Sequence, residues 1–160
     1  MEQLDRLHGV AYLLGALAHA SEKNLGRSSH SICMLAGKKF GREAVQNAEK
    51  TEDPIKAVEL LRGALEKRGI VWDFEPFQGE RDELMEKRDG ADVIRLVFRT
   101  CMVRNALFRY AHEQKESLCY MAHGVFAGAM ETVIPGKKVH LEILHAGPNA
   151  CLKEMILEDE

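Results

Sequence analysis

Apolar residues recur at helical spacing in three stretches of the first half of the chain. Over residues 3–24, Leu4, Leu7, Ala11, Leu14 and Ala18 form a stripe that Val10, Leu13 and Leu17 widen. This predicts a helix buried on a broad face and stopped at Asn24-Leu25-Gly26, where glycine takes the left-handed position. Over residues 27–50 a Ser N-cap leads into Ile32, Leu35, Ala36 and Phe40, a second helix that could bend at Gly37 or Gly41, with Cys33 in its apolar middle reading as core. The third helix has the clearest start, with Asp53 as N-cap and Pro54 at the first helical position. Its stripe is Ile55, Val58, Leu61 and Leu65, and Lys67-Arg68-Gly69 ends it.

The pattern then changes period. Residues 70–75, IVWDFE, are β-branched and aromatic and read as a strand, and residues 91–99 read as a second, with bulk on both faces. The charged run between them, residues 78–90, reads as a loop or short exposed helix. Residues 103–114 and 117–133 return to helical spacing, the latter capped by Ser117, with Gly124 and Gly128 four apart on a flat face that suits close backbone packing. After Ile134-Pro135-Gly136, residues 137–158 alternate as two strands joined at Gly147-Pro148-Asn149. Helices alternating with hairpins predict an α+β fold, an antiparallel sheet with helices packed mainly on one face.

At 160 residues the chain fits one domain, residues 1–160, and its 46% hydrophobic and 29% charged content is that of a soluble globular protein. No run is long and apolar enough for membrane insertion, and the acidic start MEQLDRLHG is no secretion signal, so a cytoplasmic location is expected. Four cysteines in that setting favour free thiols or metal ligands over a disulfide framework. A net charge of −3 with scattered Lys and Arg argues against nucleic-acid binding.

The candidate chemistry lies in the last third of the chain, where Cys119, Glu142, His145 and Cys151 gather four good transition-metal ligands. With a three-residue turn at 147–149, Ala146 would pair with Ala150 and His145 with Cys151, their Cβ atoms roughly 4.5–5.5 Å apart. Strict alternation puts Glu142 on the other face, so a bulge or twist is needed to bring it round, and Cys119 must arrive from the helix. The plainer reading is that the cysteines are small buried hydrophobes and the histidine an ordinary strand residue.

The element order, and a tail in which Cys119 and a GxxxG-bearing helix precede PGxKVxLEIxHAGPxACLKEMIL, resemble the 4-vinyl reductase domain family of hydrocarbon-binding proteins. This family includes the sensory domains of phenol- and xylene-responsive bacterial activators and shares its fold with Bet-type vesicle-tethering subunits. In its aromatic-sensing members a zinc is held by a helix Cys, a strand Glu, a Cys three residues later and a Cys across the turn. Twenty-three positions separate Cys119 from Glu142, as in that group; His145 stands for the third ligand and Cys151 for the fourth, across a shorter turn.

The resemblance implies a ligand-binding domain, a homodimer, with an apolar cavity between sheet and helices for a small apolar or aromatic molecule. Trp72, Phe98, Met121, Val125, Phe126 and Met130 are the candidates to line it, although such residues are more often plain core. A closed four-ligand zinc site would be structural. The alternative is a zinc-dependent enzyme with an open metal position and Glu142 or His123 as general base. A third reading, an interaction scaffold, would be supported by an exposed apolar patch on the first helix.

Overall fold

A computed structural model of the chain describes residues 2–101, 103 and 115–160, with side chains from residue 9 onward. Three helices come first: α1 (Glu2–Leu25), α2 (Ser28–Ala44) and α3 (Pro54–Glu66). Strands β1 (Asp73–Pro76), β2 (Met85–Arg88) and β3 (Ala91–Thr100) follow, then helix α4 (Ser117–Val133) and the hairpin β4 (Lys137–Ala146) and β5 (Cys151–Asp159). The helix expected over residues 103–114 lies almost wholly outside the described residues. No helix among those described is long and apolar enough to cross a membrane.

The fold is α+β, as expected. The five strands form one antiparallel sheet in the order β1-β3-β5-β4, with β2 beside β1 on the same edge of β3. Ile94, Leu96 and Phe98 of β3, Met155 and Leu157 of β5, and Val139 and Leu141 of β4 turn inward and join α3 and α4 in a single core. The opposite face is largely polar: Glu154, almost fully buried, accepts from Arg88 Nη2 at 2.6 Å and Arg95 Nε at 3.1 Å. Burial pushes its carboxyl up, but the two guanidinium groups outweigh this and hold it below the usual carboxylate range.

Local chemistry explains most boundaries. Asp53 caps α3 through its Oδ1, which accepts from the amides of Ile55 at 2.9 Å and Lys56 at 3.3 Å. Strand β2 replaces the expected loop because Asp89 and Gly90, with φ of 54° and 87°, make the two-residue turn that matches the twist of a hairpin. Ser117 does not cap α4 with its own side chain; its amide and hydroxyl both donate to the carboxylate of Glu22, which α1 brings to that helix end.

Helices α2 and α4 cross with their backbones in contact. Gly37 and Gly41 of α2 face Gly124 and Gly128 of α4, and a methyl group on any of the four would collide with a carbonyl oxygen of the other helix. The glycines of α2 therefore mark a crossing point, and the helix runs unbroken through them. Lys38 Nζ closes the crossing by donating to Glu131 at 2.7 Å.

Helix α1 departs from expectation. Its stripe is amphipathic, yet Val10, Leu13, Leu14 and Leu17 are 51–73% exposed, and along the described part of the helix only Gly15 and Ala18 are buried. It packs against α2 and α4 with small residues and leaves its large ones outward.

Candidate ligand-binding site

Between α1, α3 and α4 lies an apolar cavity of about 520 Å³, within the range of small-molecule sites. Helix α1 contributes Val10, Ala11 and Leu14, and α4 contributes Leu118, Met121, Ala122 and Val125. Phe40, Leu65, Ile70, Trp72 and Val103 complete the wall. The cavity thus sits on the helical side of the core, not between sheet and helices, because the space over the sheet is already filled by aromatic rings. Phe98 and Phe126 lie 5.4 Å apart between centroids, Phe74 is 4.8 Å from Phe126, and Trp72 touches all three. Of the expected lining residues, Trp72, Met121 and Val125 face the cavity, while Phe98, Phe126 and Met130 are closed core, at most 1% exposed. A second depression, about 580 Å³ between α2 and α3, is lined by Glu49, Lys56, Glu59, Lys67 and Arg68 and suits solvated charges better than an apolar ligand.

The four metal-ligand candidates are not brought together. The turn spans 147–150, so Ala146 pairs with Cys151 and His145 with Leu152, one position from the expected register. A bulge at Leu144 is present and does put Glu142 and His145 on one face. That face is the outer one, since Glu142 pairs with Glu154 and Leu152 alternates with the inward Cys151 and Lys153. Both side chains are exposed, and Nε2 of His145 folds over Gly147. Cys119 and Cys151 lie on the inner side, across the sheet. Among the described residues no group of three or more His, Cys, Asp or Glu is placed to hold a metal ion.

Inside, the neighbour of Cys119 is a cation. Burial pushes the Cys119 thiol up, and Lys153 is near enough to pull it partly back, so a divalent ion beside this sulfur would face a fixed positive charge. The zinc ligand set implied by the resemblance does not fit this arrangement. His123 is a poor general base: burial first, and Lys153 second, push its pKa down to about 3.

Lys153 itself escaped the sequence reading, although its signal was there. Cys151, Met155 and Leu157 alternate inward along β5, and Lys153 falls in the same set. It is 2% exposed, and its ammonium lies 4.9 Å from the centroid of the Phe98 ring.

No known protein family's sequence profile matches the chain. No curated protein matches it either. In structure the chain shares its fold with proteins already solved. One similar solved structure is the phenol-responsive sensory domain of the transcription activator PoxR, determined with phenol, with a TM-score of 0.65, 15% sequence identity, and coverage of 91% of this chain and 73% of that one. The likeness establishes the fold, an open antiparallel sheet with helices on one side.

Proposed function

We propose that this chain is a small-molecule sensing domain of the 4-vinyl reductase type, which takes a small apolar or aromatic molecule into the cavity between α1, α3 and α4. The observation that carries this reading is a nearly all-apolar cavity of about 520 Å³ in a fold shared with a phenol-responsive domain. Binding would bury the inward edge of α1, which packs on α2 and α4 through small residues alone, so its position would report occupancy. Trp72 is the single tryptophan and lines the cavity, so its fluorescence reads the site directly.

Titration with phenol should change Trp72 emission saturably, with matching heat in calorimetry. Ala11→Phe, which fills the cavity from its α1 side, should weaken binding at least tenfold. No saturable change, or equal binding by Ala11→Phe, would count against the reading.

The same proposal includes a homodimer built on α1. Leu13 and Leu17 are 73% and 65% exposed, and α2 adds Ile32 and Leu35 at 55% and 68%, an apolar exposure that monomers rarely carry. Light scattering should give twice the 18.0 kDa chain mass, and the paired change Leu13→Glu with Leu17→Glu should return it to the mass of one chain. The exposed stripe also favours a second reading, an interaction module that docks another protein through α1. A monomeric wild type would weaken both.

A further inference from the structure

We propose that the cavity and a buried cationic cluster behind its Trp72 wall form one site for a small apolar or aromatic carboxylic acid, hydrocarbon in the cavity and carboxylate at Lys153; this rests on the ligand-binding reading above. Among the described residues the buried carboxylates are paired with cations. Glu154 meets Arg88 and Arg95, and Asp92 meets Lys87 and Lys137. Lys153 is as buried as Glu154, yet among the described residues no carboxylate pairs with it. The face of Phe98 attracts the ammonium without replacing a counter-ion, and an unmatched buried charge is costly.

Two further buried groups point to the same need. Nε2 of His123 and Nε1 of Trp72 have no hydrogen-bond partner among the described residues. The indole N–H can only donate, and a neutral imidazole carries one N–H. Phe98 and Lys153 link the three groups. Trp72 packs on Phe98 at 5.8 Å between centroids, the Lys153 ammonium lies over that same ring, and Lys153 is close enough to His123 to disfavour its protonation. A cation with two unpartnered nitrogens calls for a ligand rich in acceptors and negatively charged. A carboxylate supplies two oxygens with about four lone-pair sites, whereas a neutral hydroxyl supplies one oxygen. Trp72 is shared by cavity and cluster, so its indole is the part of the wall that an entering acid must pass or displace.

The test is calorimetry with 3-phenylpropanoate and 3-phenylpropan-1-ol, which share their hydrocarbon and differ in charge, with acetate as a bare carboxylate. The wild type should bind the acid at least tenfold more tightly than the alcohol and should not bind acetate measurably. Lys153→Met should abolish the preference, weakening the acid at least tenfold and changing the alcohol less than twofold. The wild-type comparison needs no variant. Alcohol binding as tight as acid binding overturns the carboxylate assignment and leaves the ligand-binding reading standing, while binding of neither overturns both. Acetate binding as tightly as 3-phenylpropanoate overturns the role of the cavity, and an acid preference retained in Lys153→Met overturns the role of Lys153.

Discussion

Replacing Gly124 by alanine should destabilise the protein by about 3 kcal/mol, the upper end of what overpacking with backbone displacement usually costs. The added methyl would run into the carbonyl oxygen of Met34 and lie 2.8 Å from the amide nitrogen of Lys38 and 3.0 Å from Cα of Gly37. All three are backbone atoms of α2, so no side chain can swing aside and the two helices must part. Alanine ordinarily favours a helix over glycine by about 1 kcal/mol, which makes the sign of the result informative. Gly63 of α3 supplies the control, because nothing lies within 4 Å of a methyl group built there. Gly63→Ala should therefore stabilise by about 0.5–1 kcal/mol through propensity and unfolded-state entropy. Urea unfolding of the two variants should move the midpoints in opposite directions. Equal shifts would mean that the α2–α4 crossing is not close-packed in solution.

The crossing also shows what a sequence can and cannot disclose. The small face of Gly124 and Gly128 was legible as a surface for close packing, but its partner was not, and Gly37 and Gly41 read as bending points. Periodicity marks the face of one helix and carries no information about which other helix meets it. The same limit applies to α1, whose stripe of Val10, Leu13, Leu14 and Leu17 establishes amphipathicity without saying whether the cover comes from the same chain. Asp53-Pro54 was readable because a cap is a local hydrogen-bonding arrangement complete within a few residues. Strand β2 was hidden by its charges, although Asp89-Gly90 carried a hairpin signal of the same local kind.

The metal candidates lie apart for a geometric reason. The turn spans 147–150, one residue more than the three expected, so Cys151 pairs with Ala146 and His145 with Leu152, and Cys151 and His145 face opposite sides of the hairpin; the bulge at Leu144 lies beyond both and turns Glu142 to the face of His145. Cys151 stayed inward while His145 went out. The inward row of β5 was predictable by simple alternation, and it brings Lys153 in beside Cys151. The polar centre of this molecule is therefore a matter of one cation and its uncharged neighbours, chiefly His123.

That neighbour gives the protein a predictable weakness to acid. His123 has an ordinary pKa of 6.5 when unfolded, and burial together with Lys153 lowers it to about 3 in the folded chain. Below pH 6.5 the unfolded chain takes up a proton that the folded chain refuses, so the stability present above that pH is lost progressively as pH falls toward 3. At about 1.36 kcal/mol per pH unit, lowering the pH from 6.5 to 4.5 should remove roughly 2–3 kcal/mol through this residue alone. Glu154 and Asp92, whose carboxyls their cationic partners hold low despite burial, add their own losses only as pH falls through the carboxylate range. The two contributions therefore separate in pH. Urea unfolding of His123→Leu between pH 6.5 and 4.5 should show a loss smaller than the wild type's by about the same 2–3 kcal/mol, with the steep decline below pH 4.5 retained. Parallel pH profiles for the two proteins would mean that His123 is hydrated or charge-paired in solution, and that an anion or water already occupies the space beside Lys153.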